Sequence, residues 1–179
     1  HELKAPVARL GTEVVPMLSR KEQADLTLRT QALTTMLCQT GQLAGAIRAQ
    51  GVGSVPIDAA EIVRTDAEFQ SAVPETNETR RLSQARVVPL IANGTVPVVT
   101  GFVGSTAAGV VTTLGRGGSD YSASILAVCV GADEVWIWAD VDGMMSADPR
   151  EVDEARVITH LSYDEVAELA YFGARILHA

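Results

Sequence analysis

Residues 113–120 read Thr113-Leu114-Gly115-Arg116-Gly117-Gly118-Ser119-Asp120, a glycine-rich turn between a β-branched apolar run and a stretch of helical spacing. Upstream, Thr95 to Phe102 (TVPVVTGF) is bounded by Gly101 and Gly104, which predicts a buried strand. Downstream, the pattern predicts a helix ending near Gly131, then a second apolar strand over Glu134 to Asp140 (EVWIWAD). A loop from Val141 to Arg150 and an amphipathic helix over about Ser162 to Phe172 complete this half. Strands alternating with helices predict an α/β fold, a mostly parallel sheet covered on both faces in three αβα layers.

The first half is mainly helical. Arg20 to Gln50 carries apolar residues at Leu26, Leu33, Leu37, Leu43 and Ile47, and Gly41 is expected to split or kink that helix. Gly51-Val52-Gly53 ends it, Ser54 to Ile57 reads as a short strand, and residues 58–80 are polar and irregular. A helix from about Arg81 to Ala92 stops at Asn93-Gly94. Asn77 and Asn93 each open an Asn-x-Thr triplet, read as chance matches in a chain without secretion signals.

Composition bounds the function. Apolar residues make up 47% of the 179 and charged residues 20%, enough to fill a core and too little charge for disorder. The net charge of −8 argues against sequence-independent nucleic-acid binding, and no apolar run reaches the length of a membrane span. Cys38 and Cys129 form neither a disulfide framework nor a zinc pattern; both are expected to be buried thiols in a reducing cytosol. Only Lys4 and Lys21 are lysines among 14 basic residues, so an anion site in the second half must use Arg, backbone N–H groups or helix termini.

In an open α/β sheet, ligands collect where loops leave the carboxyl ends of strands and enter helices. Two loops qualify. At Gly115 to Asp120, backbone N–H groups and the helix N-terminus form an anion cradle, and Arg116 can fork onto a carboxylate or phosphate. The loop is neither a Walker loop, lacking Gly-x-x-x-x-Gly-Lys, nor a dinucleotide fingerprint, since Asp120 holds the third glycine position. Asp120 has two readings: a carboxylate that positions a cation or catalytic lysine, or, with Ser119, a mere helix N-cap. The second loop, Asp140 to Arg150, holds Asp140, Asp142, Asp148 and Arg150, which suit ribose hydroxyls, hydrated Mg²⁺ and phosphate; an acidic surface turn at Asp148-Pro149 is the alternative. Ser/His/Asp catalysis is disfavoured, because no Gly-x-Ser-x-Gly elbow occurs and His160 and His178 lie in the helical end region.

Taken together, Val99-Thr100-Gly101-Phe102-Val103-Gly104, Thr112 to Ala123, Trp138-Ala139-Asp140-Val141-Asp142-Gly143, Ala147-Asp148-Pro149-Arg150 and Tyr171 to His178 closely resemble the aspartate kinase family, in its order and spacing over about residues 96–178. The resemblance implies an incomplete amino acid kinase fold, with residues 20–94 as a helical substrate-side region and 95–179 carrying the glycine loop and nucleotide site. It implies transfer of the ATP γ-phosphoryl to the aspartate β-carboxylate, with ATP and Mg²⁺ as cofactors, in a cytoplasmic enzyme of amino-acid biosynthesis, homo-oligomeric when complete. By position, Asp120 would organise catalysis; Arg116, Gly117, Ser119, Phe102 and Gln42 would bind the acceptor; Ala139, Asp140, Met145, Arg150 and Arg175 would bind the nucleotide.

Departures from the pattern keep alternatives open. Gly41-Gln42 stands where the family has Gly-Glu, Ala139 where Thr is usual, Met145 where an aromatic is usual, and Arg175 where Lys is usual. The family's Lys-Phe-Gly-Gly segment is absent, and the chain opens on His1 and stops at Ala179 within an apolar pattern, so it is expected to be a piece cut at both ends and inactive alone. A non-catalytic nucleotide-binding module and a kinase for glutamate are the rival readings.

Overall fold

The computed structural model describes residues 20–69, 71–115, 117–138, 143–147 and 152–171. They divide into two units, residues 20–58 with 94–100 and residues 59–93 with 101–171.

In the first unit the Ala- and Leu-rich run forms one helix, α1 (Arg20–Ala49), and Gly41 does not interrupt it. A single interior glycine costs only about 1 kcal/mol against alanine, too little to break a long ladder of backbone hydrogen bonds. The helix stops at Gly51, whose φ of +82° suits glycine, with its N–H donating to Arg48 O at 2.9 Å. Strand β1 (Ser54–Ile57) forms as expected and pairs in parallel with β2 (Val96–Val99), from Ser54 opposite Val96 to Ile57 opposite Val99. Ser54 ties strand to helix: its hydroxyl donates to Ala44 O at 2.5 Å, and its carbonyl accepts from Arg48 Nη1 at 2.7 Å. Two expectations fail here. Cys38 is exposed on α1 rather than buried. The strand expected over 95–102 is only four residues long, and Val96 is exposed. Among the described residues β2 has β1 as its only strand neighbour, and Pro97 has no N–H to offer a second one.

The second unit contains α2 (Ala59–Ile62), α3 (Thr76–Arg86) and α4 (Val88–Ala92). The helix expected over 81–92 starts earlier and breaks at Val87, because Pro89 lies in the first turn of α4 and cannot continue a preceding helix. Asn93 and Gly94 end this stretch as expected, Gly94 at φ +71°. Strands β3 (Val103–Ser105) and β4 (Val111–Thr113) form an antiparallel hairpin, with Gly104 opposite Thr112. The segment beside it is stitched on by Thr65 N–H to Ser105 O at 2.9 Å, Ser105 N–H to Val63 O at 2.9 Å, and the Thr65 and Thr112 hydroxyls 2.6 Å apart. Ile62, Val63, Val103, Leu114 and Cys129 are buried, and burial pushes the Cys129 thiol pKa up.

Helix α5 (Gly118–Val130) follows the glycine loop, ends at Gly131 in the left-handed conformation, and packs against α3. Ser83 of α3 is fully buried, and its hydroxyl finds no hydrogen-bond partner among the described residues. An unsatisfied buried hydroxyl costs about 1–3 kcal/mol. Ser83→Ala should therefore raise Tm by several degrees, roughly 2–4 °C per kcal/mol in a chain this size. Thermal denaturation of the variant checks this, and a lower Tm would show that the hydroxyl is satisfied in solution.

The strand expected over Glu134 to Asp140 does not form across 134–138, the part within the described residues. Val135, Trp136, Ile137 and Trp138 are exposed, Trp138 at 85%, and the two indole rings lie 6.1 Å apart, centroid to centroid. An apolar run becomes a strand only where another strand takes its backbone N–H and C=O groups, and no described strand does so here. Helix α6 (Tyr163–Tyr171) matches its expected position. A reciprocal capping box starts it: Ser162 N–H donates to Glu165 Oε2 at 2.7 Å, and Glu165 N–H to Ser162 Oγ at 3.3 Å. These bonds hold the Glu165 carboxyl pKa below the usual range. Among the described residues no helix is long and apolar enough to cross a membrane.

Candidate functional site

The second unit brings Phe102, Gly117, Ser119 and Asp120 to one junction, where the turn leading into the hairpin meets the first turn of α5. Gly117 is the N-cap of α5, left-handed at φ +67°, and no side chain caps the helix. The sequence left open whether Ser119 or Asp120 was the cap. Neither is: both lie inside the first turn, Asp120 half-buried and Ser119 exposed. Gly118 N–H donates to Gly115 O at 3.1 Å, and the first i→i−4 bond of the helix runs from Tyr121 N–H to Gly117 O at 3.1 Å. The N–H groups of Ser119 and Asp120 precede that bond and so have no acceptor inside the helix, at its positive dipole end.

Phe102 faces this helix start with φ at +71°, the one described non-glycine residue in that region. A bulky side chain there costs about 1–3 kcal/mol, and such strain concentrates at functional sites. Three contacts hold it. Phe102 O accepts from Leu114 N–H at 2.9 Å, which extends the hairpin ladder by one rung. Its N–H donates to Ser122 Oγ at 2.8 Å, and the Ser122 hydroxyl donates to Gly118 O at 2.6 Å. Its ring lies against Gly118, so close that a Cβ on Gly118 would sit 2.6 Å from Phe102 Cδ2 and 3.3 Å from Phe102 Cα. On the other side, a Cβ on Gly101 would lie 3.1 Å from Cα, Cβ and Oγ of Ser119. Two glycines therefore allow an approach no other residue permits. The junction therefore brings together the backbone N–H groups of the first turn of α5, Ser119, the Phe102 ring and Asp120. That combination can take a small anion with an apolar stem.

Gln42 lies exposed on α1 in the first unit. Met145 is half-buried in an isolated antiparallel bridge with Val157, flanked by Ser146 N–H to Arg156 O at 2.8 Å and Ile158 N–H to Met144 O at 2.7 Å. Arg116, Ala139, Asp140, Arg150 and Arg175 lie outside the described residues. Sequence reasoning missed the roles of Gly101, Gly118 and Ser122 in forming the junction. For the glycines the composition was the available signal; for Ser122 nothing in the spacing gave one. Among the described residues no group of three or more His, Cys, Asp or Glu could hold a metal ion.

Comparison with known proteins bears on this geometry. Residues 3–179 match the model of the amino acid kinase family. The chain is 38% identical over 153 residues to lysine-sensitive aspartokinase 3 of Escherichia coli (strain K12), covering 82% of this chain and 34% of that protein. It is 56% identical over 81 residues to a bifunctional aspartokinase/homoserine dehydrogenase 2, chloroplastic, of Zea mays, covering 45% of this chain and 9% of that one. The crystal structure of E. coli aspartokinase III in complex with aspartate and ADP (R-state) superposes with a TM-score of 0.75 at 28% identity, over 99% of this chain and 44% of that one. The chain thus spans about a third or less of the length of these two curated relatives.

Proposed function

This chain belongs to the amino acid kinase family, and on that premise we propose that it is the central part of an ATP-dependent aspartate kinase. The observation that carries the reading is the junction at Phe102 and the α5 N-terminus, in a chain similar to a structure solved with aspartate and ADP. Within it, residues 20–94 form the substrate side, and 95–179 hold the glycine loop and nucleotide region.

In the reaction, a β-carboxylate oxygen of aspartate attacks the γ-phosphorus, the bond from phosphorus to the ADP oxygen breaks, and ADP leaves with that electron pair. Little covalent work falls to the protein; it must bring two anions together and neutralise charge. Arg116 and the N–H groups at the start of α5 take an acceptor carboxylate, Ser119 donates a further hydrogen bond, and the Phe102 ring walls the acceptor stem. Asp120 organises the reaction centre. Ala139, Asp140, Met145, Arg150 and Arg175 serve the nucleotide, and Gln42 the acceptor. Mg²⁺ would be held by one or two carboxylates, such as Asp120 or those of the Asp140 to Arg150 loop, together with substrate phosphate and water, its usual manner. When bound it supplies charge neutralisation. The same reading carries a cytoplasmic, homo-oligomeric full-length protein.

The test is ADP release by the full-length protein with aspartate and glutamate as competing acceptors. Aspartate-dependent release is expected, with glutamate at least about tenfold poorer in kcat/KM. Preference for glutamate would reassign the acceptor. ATP binding without release under either acceptor would replace the kinase by a nucleotide-binding module.

A further inference from the structure

We propose that Ser122 is a positioning residue for the acceptor: its hydroxyl locks Phe102 in the positive-φ conformation that seats the 101–102 turn against the first turn of α5. The inference rests on the reading of this junction as the acceptor site, and adds to it a residue that touches no substrate.

A serine inside a helix commonly turns its hydroxyl back onto the carbonyl four residues earlier, and there its role ends. Ser122 makes that bond, to Gly118 O at 2.6 Å, and its remaining acceptor capacity goes across to another segment, to Phe102 N–H at 2.8 Å. The side chain is buried, with 2% exposure, so water does not compete for either bond. Because Phe102 O is taken by Leu114 N–H, both backbone polar groups of this strained residue are held, one by the hairpin and one by the helix. Remove the serine oxygen and the Phe102 N–H loses its acceptor. The cheapest relief is a return to negative φ, which carries the ring off Gly118 and shifts the turn away from Ser119. The Ser122 hydroxyl thus couples the helix start, through Gly118 O, to the one residue whose backbone must stay strained. A lock of this kind acts on acceptor binding, because it shapes the wall the acceptor meets and not the group that organises phosphoryl transfer.

Ser122→Ala and Ser122→Thr in the full-length protein test this, with kinetics for each substrate, Tm, and hydrogen exchange at Phe102 N–H. For the alanine variant, the aspartate KM should rise about tenfold (about 1.4 kcal/mol), while the ATP KM and kcat stay within about twofold. Phe102 N–H should exchange faster, with the rest of α5 unchanged. Threonine, which keeps the hydroxyl, should restore the aspartate KM. Equal rises in both KM values with a fall in Tm would mark a merely structural serine and overturn the proposal, as would an unchanged aspartate KM. A wild type without aspartate-dependent turnover overturns the kinase reading instead. In that event exchange decides: unaltered protection of Phe102 N–H in Ser122→Ala removes the lock, and faster exchange confined to the 101–104 and 115–119 segments sustains it.

Discussion

Asp120→Ala in the full-length protein is expected to lower kcat by about 10²–10³ while moving Tm by only a few degrees. The magnitude is that of removing one preorganised electrostatic group from a site where charge is redistributed in the transition state. What makes the expectation sharp is the observed cap. If Asp120 capped α5, alanine would cost roughly 0.5–2 kcal/mol of stability and spare the chemistry. Gly117 holds the cap position and no side chain caps the helix, so that route is closed. The remaining structural part for Asp120 is an acid in the first turn facing the positive helix end, worth about 0.3–1 kcal/mol at the surface. A loss of kcat far larger than that stability term can account for assigns the carboxylate to the reaction. The measurement pairs kcat and both KM values with thermal denaturation of the same preparation. A fall in Tm of several degrees with kcat intact would return Asp120 to a purely structural role and leave the phosphoryl-transfer reading without its central group.

How far the sequence could be read follows from which physical terms are local. The glycine loop and the stop of α5 at Gly131 were legible, because left-handed turns select glycine at single positions. The start of α6 was legible because Ser162 and Glu165 satisfy each other within one turn. Expectations that depended on a distant partner fared unevenly: β1 formed beside β2, but others failed. Val135 to Trp138 have the composition of a strand but no described strand pairs with them, and Cys38 sits on the exposed side of a helix whose apolar pattern did not set it apart. Phe102 is the instructive case. No composition rule marks a phenylalanine for positive φ; the strain exists because Leu114, Ser122 and Gly118 over-determine the residue from segments 12 to 20 positions away. Phe102, Gly117 and Ser119, three of the residues expected at the acceptor end, meet at the start of α5, yet what assembles them, Gly101, Gly118 and Ser122, became visible only as distances.

Those distances make Gly118→Ala the second large effect expected. On local grounds the change should help. Gly118 opens α5, its φ is not among the positive ones, and alanine is favoured over glycine inside a helix by about 1 kcal/mol. Packing gives the opposite sign. The added methyl would lie 2.6 Å from Phe102 Cδ2 and 3.3 Å from Phe102 Cα, so the ring must move off the helix start and the Phe102 backbone give by a few tenths of an ångström. Overpacking of this kind costs about 1–3 kcal/mol, and here the loss should appear twice, as a lower Tm and as at least about a tenfold rise in the aspartate KM when Phe102 is displaced. Coupling to Phe102→Ala separates the causes. With the ring removed, most of the clash is gone, and the double variant should recover about 0.5–3 kcal/mol relative to the sum of the single changes. Thermal denaturation of the four proteins measures that coupling. A Gly118→Ala protein more stable than wild type would show that local helix preference outweighs the contact, and that Phe102 is free to leave the helix start.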